Sequence, residues 1–150
     1  MSKHSRNLLL LLALALLAFA HLAESGEEPT MNDFELIDTH WWVEDIDGKG
    51  VIDASHTTIA FLEDQQAAGD SGCNRWFGPY TLEGSQLEFG IMAGTRRACA
   101  ESLMNQETRF YQALGRVVSW EVPKATGLLH LKDAAGNTMI RAWRIEEGEA

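Results

Sequence analysis

A mainly β domain, built as a small antiparallel β-barrel or a strongly curled sheet of seven to eight strands with one packed helix, is what this sequence predicts. Three observations predict it. Short runs rich in aromatic and β-branched residues recur along the chain and are separated by Gly, Pro, Asp and Asn clusters. One stretch alone shows helical spacing, from about Ala98 to Leu114, where Leu103, Met104, Phe110, Tyr111 and Leu114 recur without Gly or Pro. With 150 residues, 45% of them hydrophobic and only 3 prolines, the chain holds one globular domain once a targeting segment is set aside.

In order from the start, Lys3, His4 and Arg6 precede an unbroken apolar run from Leu8 to Ala20, followed by small residues and an acidic stretch. This reads as a secretory signal peptide over residues 1–23, cut after Ala20 or Ala23. The run is too short for a membrane span, which needs roughly 20 residues. No cysteine stands near either cleavage point, so a soluble exported protein, periplasmic and not a lipoprotein, is expected. Residues 24–33 are polar and without periodicity, a flexible lead-in to a domain over residues 34–150.

Within the domain, Thr39 to Ile46 reads as a strand ended by the turn residues Asp47-Gly48-Lys49-Gly50. Thr57 to Leu62 is the next, with Ile59 and Phe61 on one face, followed by a short strand through Ala68. Phe77 to Leu82 and Gln86 to Phe89 flank Glu83-Gly84-Ser85 as a hairpin, with Leu87 and Phe89 inward. After the helix, Arg116 to Val122, Leu128 to Lys132 and Thr138 to Ile145 complete an antiparallel meander. No internal repeat is present. Of the five tryptophans, adjacent Trp41 and Trp42 cannot both face the core of a regular strand, so one is a candidate for an exposed aromatic contact.

The organising stretch is Gly69 to Tyr80, with three glycines, a proline, a cysteine and three aromatics in twelve residues. Its natural partner is Ala93 to Cys99, which holds the second of the two cysteines. In an exported protein, Cys73 and Cys99 are expected to form a disulfide closing a loop of about 27 residues; the competing reading is a pair of free thiols activated by Arg75, Arg96 and Arg97. Glu107 falls on the inward stripe of the helix, where a buried carboxylate needs a cation, and Arg75 or Arg96 is the expected partner. At the margin of the stripe it would instead be solvated. Asn74, in a turn-prone segment, is expected to satisfy nearby backbone groups. Asn74, Arg75, Arg96 and Glu107 thus form a candidate structural polar cluster.

These residues carry a resemblance. Gly72-Cys73-Asn74-Arg75, Gly78, Tyr80, Leu87-Glu88-Phe89-Gly90, Thr95-Arg96, Ala98-Cys99, Glu107, Phe110 and Leu114 resemble the META domain family, which includes the heat-shock protein HslJ. The likeness extends upstream to Trp42 through Gly48 and downstream through Leu129-His130-Leu131 and Gly136. It implies a compact barrel-like domain with one helix, in exported bacterial proteins often linked to stress and similar in shape to secretion pilot proteins. The chain departs from HslJ in lacking the lipidation cysteine, so no stable membrane anchor is expected. The family carries no established catalytic residues, and none is transferred.

Composition narrows the functions. With 22 Asp plus Glu against 12 Lys plus Arg, a net charge of -10, the chain offers no basic stripe for nucleic acid. No Ser/His/Asp arrangement, HExxH motif, phosphate loop or paired carboxylates is present, and His40, His56 and His130 lack ligand spacing to a cysteine, so neither an enzyme nor a cofactor or metal is expected. The leading expectation is a non-catalytic exported module that supports the envelope under stress by binding a protein, peptide or lipid. The alternatives are a thiol-redox protein using Cys73 and Cys99, or an acidic inhibitor of a basic secreted hydrolase.

Overall fold

Strand-forming side chains need a buried face, and the aromatic run that opens the domain finds one immediately. A computed structural model describes residues 36–146. β1 (Thr39–Ile46) buries Thr39, Trp41, Val43 and Ile46. Simple alternation would have placed Asp45, not Ile46, inward; a bulge between Val43 and Asp45 shifts the phase by one residue and keeps the carboxylate out of the core. Trp41 is the inward member of the tryptophan pair, and its indole N–H donates to Thr39 Oγ1 at 2.7 Å. The leader, the lead-in and Phe34 lie outside the described residues.

The Asp47-Gly48 pair turns the chain with positive φ at both residues, the geometry of a two-residue hairpin, into the short β2 (Lys49–Gly50). β3 (Thr58–Phe61) and β4 (Gln66–Asp70) follow, and then β5 (Arg75–Glu83), which alternates strictly, with Trp76, Gly78 and Tyr80 inward. β6 (Gln86–Phe89) buries Leu87, with Phe89 packed at the core's edge, and β7 (Ala93–Gly94) pairs with the start of β5. The helix α1 (Glu101–Leu114) precedes β8 (Ser119–Glu121), β9 (Leu129–Lys132) and β10 (Thr138–Arg144).

All neighbouring strands are antiparallel, and β10 pairs back onto β1, from Trp41 opposite Arg144 to Ile46 opposite Ile140. Eight strands therefore close into a barrel in the order β1, β3, β4, β5, β6, β8, β9, β10, while β2 and β7 pair outside the ring. Closure removes the sheet edges that an open meander would leave. A second bulge in β10 lets adjacent Met139 and Ile140 both enter the core. Phe110, Ala113 and Leu114 carry α1 into that core, where the Phe110 ring meets Trp76 edge-on at 5.4 Å.

The helix begins at Glu101, three residues later than its spacing suggests. Residues 98–100 are held in a non-helical path by the attachments of Arg97 and Cys99 described below, and Ala100 provides no side-chain cap. Met104 turns outward instead of joining the stripe.

Asp133 organises the β9–β10 turn. Its carboxylate accepts from the backbone N–H groups of Asn137 and Ala135, the Asn137 side-chain amide and the Arg116 guanidinium, at 2.9 to 3.2 Å. The Asn137 N–H leads the effects holding this carboxyl below the usual range, against the opposing effect of burial. A folded-state value below the unfolded one means stability that is complete above about pH 4 and lost as pH falls through the folded value. The gap in denaturation midpoint between wild type and Asp133→Asn is accordingly expected to shrink on acidification below about pH 4. An unchanged gap would remove the carboxylate from this role.

Candidate functional site

The turn between β4 and β5 gathers the residues that the sequence singles out. Cys73 and Cys99 form a disulfide, with Sγ atoms 2.10 Å and Cα atoms 5.9 Å apart. Arg97 reinforces it by donating from Nη2 to the Cys73 carbonyl at 2.7 Å. Asn74 is buried at the centre. Its Oδ1 accepts from Thr95 Oγ1 at 2.9 Å and from the Arg97 N–H at 2.7 Å, and its Nδ2 donates to Glu107 Oε1 at 3.2 Å. The Asn74 side chain does bond backbone, but that of Arg97 across the crossing segment and not that of its own turn, so Asn74 ties turn, crossing segment and helix together.

Glu107 is brought to this cluster but not to an arginine. The Ser71 hydroxyl donates to Oε2 and the Asn74 amide to Oε1, so both carboxylate oxygens have neutral donors. Among the described residues it forms no ion pair with Arg75 or Arg96. Strand alternation explains Arg75: Asn74 and Trp76 point inward, so Arg75 is exposed on the outer face. Arg96 is also exposed, and lines a cavity of about 590 Å³ together with Glu107, Thr95 and Tyr111. Burial raises the Tyr111 phenol above its usual value, and the Glu107 carboxylate adds to the rise.

Glu107→Gln should then cost about 1.5 to 3 kcal/mol, the scale of hydrogen bonds to a charged acceptor, not the larger penalty of orphaning a buried arginine. A double-mutant cycle should couple Glu107→Gln to Ser71→Ala and leave it uncoupled from Arg75→Met and Arg96→Met. Coupling to either arginine would restore the ion pair.

Gln106, the neighbour of Glu107, was not anticipated as a site residue and is fully buried. Its Oε1 accepts from the Ile52 N–H at 2.7 Å, and its Nε2 donates to Ser55 Oγ and Thr57 Oγ1, both at 3.0 Å. The spacing signal was available: position 106 lies three residues after Leu103 and four before Phe110, on the apolar stripe. Gly72 makes room for this amide. It has φ +94°, and a Cβ there would stand 2.7 Å from Gln106 Nε2, so both backbone and space exclude a side chain.

The loop that Gln106 pins holds Ala54 and His56 at φ +59° and +51°, a conformation costly for non-glycine residues. It sets the His56 ring edge-on against Trp42 at 5.0 Å, and Trp42 in turn stacks on Trp143 at 5.7 Å. His56 and Trp42 form one wall of a groove of about 680 Å³ on the outside of the barrel, with Trp143 backing Trp42 from outside the lining. The floor follows the register. His40 faces Ala60, Ala60 faces Ala68, and Ala68 faces Phe77, so two alanines lie between rims of bulkier side chains. The parallel row runs Trp42 to Thr58, then Asp70 opposite Arg75. Phe77 is 57% exposed and Trp143 39%, large apolar surfaces left to solvent. Among the described residues no group of three or more His, Cys, Asp or Glu converges to hold a metal. The arrangement is that of a binding surface: apolar floor, aromatic walls and a few polar groups.

A family model described as META domain matches residues 34–144. Among solved structures, the chain is similar to an NMR structure of a protein from Burkholderia xenovorans, at 27% identity over 75% of this chain and 85% of that one, with a TM-score of 0.61. A second NMR structure is similar at 25% identity, covering 70% of this chain and 88% of that one, with a TM-score of 0.52. No curated protein matches.

Proposed function

From the premise that this chain belongs to the META domain family, we propose that it is an exported, non-catalytic module that binds an envelope protein or peptide under stress. Export is supported by the apolar run from Leu8 to Ala20, and the stress setting by the family resemblance. The observation that carries the binding reading is the outer groove. His56 on a strained loop, half-buried Trp42 on β1 and exposed Phe77 on β5 stand around an alanine floor, at a cost a purely structural barrel does not need. Thiol exchange is disfavoured because Cys73 is buried beneath the crossing segment.

The reading is tested by filling the groove. Ala68→Tyr places a ring on the half-buried outer face of β4, away from the core-facing Ala67. An NMR titration with a short phenylalanine-containing peptide should shift the amides of His40, Ala60, Ala68 and Phe77, and Ala68→Tyr should abolish those shifts while leaving the fold intact. Shifts confined to the cavity lined by Met92, Glu107 and Tyr111 would overturn it. Mass spectrometry of the mature protein should find an N-terminus at His21 or Glu24 in a soluble envelope fraction; an uncleaved chain in the membrane pellet would overturn export.

A further inference from the structure

The groove's charge differs from that of the chain around it. Overall the protein carries -10, yet the groove lining holds Arg75, His40 and His56 against one carboxylate, Asp70. Asp70 is already engaged, its Oδ1 accepting from the Gly72 N–H at 2.8 Å. The Arg75 guanidinium lies on the rim and, among the described residues, makes no ion pair. Its side chain stands in the row next to Phe77 and across from Asp70, at the end of the floor opposite Trp42. An arginine without a close ion-pair partner beside an exposed phenylalanine matches a ligand with a carboxylate close to an apolar side chain.

We propose that the groove takes an acidic, aromatic-bearing extended peptide, laying an apolar side chain on Ala60 and Ala68 between Trp42 and Phe77 and a carboxylate on Arg75. This rests on the groove reading above and adds the chemistry of the partner. A peptide suits the site better than an acyl chain. The groove is open along the outside of a closed sheet, so a lipid tail lying there would keep much of its surface in water, whereas an extended backbone needs no enclosure.

The test uses the full mature chain and three capped hexapeptides: alternating glutamate and phenylalanine, alternating lysine and phenylalanine, and alternating serine and phenylalanine. Calorimetry and tryptophan fluorescence should show the glutamate peptide binding at least tenfold more tightly than the lysine peptide, with the advantage falling as salt is raised. Arg75→Glu should remove that preference or reverse it toward the lysine peptide, while changing the serine peptide less than twofold. Equal affinity for all three peptides would overturn the charge assignment and leave the groove reading standing. Binding of none, with phosphatidylglycerol vesicles bound instead, would overturn both. A concentration-dependent dimer in sedimentation, lost in Arg75→Glu, would assign the groove to a second copy and overturn the peptide.

Discussion

Gln106→Leu, which nearly preserves side-chain volume, is expected to lower unfolding free energy by roughly 3 to 5 kcal/mol. The wild-type amide satisfies the Ile52 N–H and the hydroxyls of Ser55 and Thr57, and leucine satisfies none of them. Each buried group left without a partner costs about 1 to 3 kcal/mol. Ser55 and Thr57, 3.3 Å apart, recover part of this by bonding each other, which is why the full threefold penalty is not expected. In a domain this size the loss corresponds to a fall in Tm of about 10 to 25 °C. Met104→Leu, on the exposed side of the same helix, is the control and should stay within about 0.5 kcal/mol of wild type. A Gln106→Leu variant as stable as that control would show that the loop from Ile52 to Thr57 needs no anchor. The same substitution should also weaken peptide binding, because His56 would lose the loop that holds it against Trp42.

Removing the disulfide is the second large perturbation. Cys73 and Cys99 are separated by 26 positions, and the chain-entropy relation gives about 3.5 kcal/mol for a loop of that length. The native state would lose more than a restraint on the unfolded chain, because the bridge pins the segment whose Thr95 and Arg97 satisfy Asn74. Cys73→Ser combined with Cys99→Ser should therefore lower Tm by roughly 10 to 20 °C, and a reducing agent should do the same to the wild-type protein. An unchanged midpoint after complete reduction, verified by thiol titration, would mean that the Asn74 network suffices alone.

Periodicity carried most of the barrel, because each strand's inward set is a local property: Ile59 with Phe61, and Leu87 with the partly buried Phe89, could be read without knowing their neighbours. The bulges in β1 and β10 could not, since a phase shift is set by the partner strand's register. At the helix, spacing pointed Glu107 toward the core side, where it stands half-buried beside the fully buried stripe, but gave no direction to its partner. Opposite charge suggested arginine, whereas the geometry offered Ser71 and Asn74. Gln106 sat on the same stripe and was passed over because an uncharged amide raises no alarm in a sequence. The groove was the least legible feature. Ala60 and Ala68 mean nothing singly, and only the row from His40 to Phe77 makes them a floor.

The seam between β1 and β10 sets the order of folding in time. Since the first strand's final partner is the last strand, no partial chain can close the ring, and a ribosome releasing residues from the N-terminus must deliver Arg144 before the barrel forms. Such non-local closure places the domain among the slower folders, on the scale of milliseconds to seconds. Until then β1 can pair with β3 but its other edge, the one that meets β10, waits open, so the chain's most vulnerable interval is the one just after release.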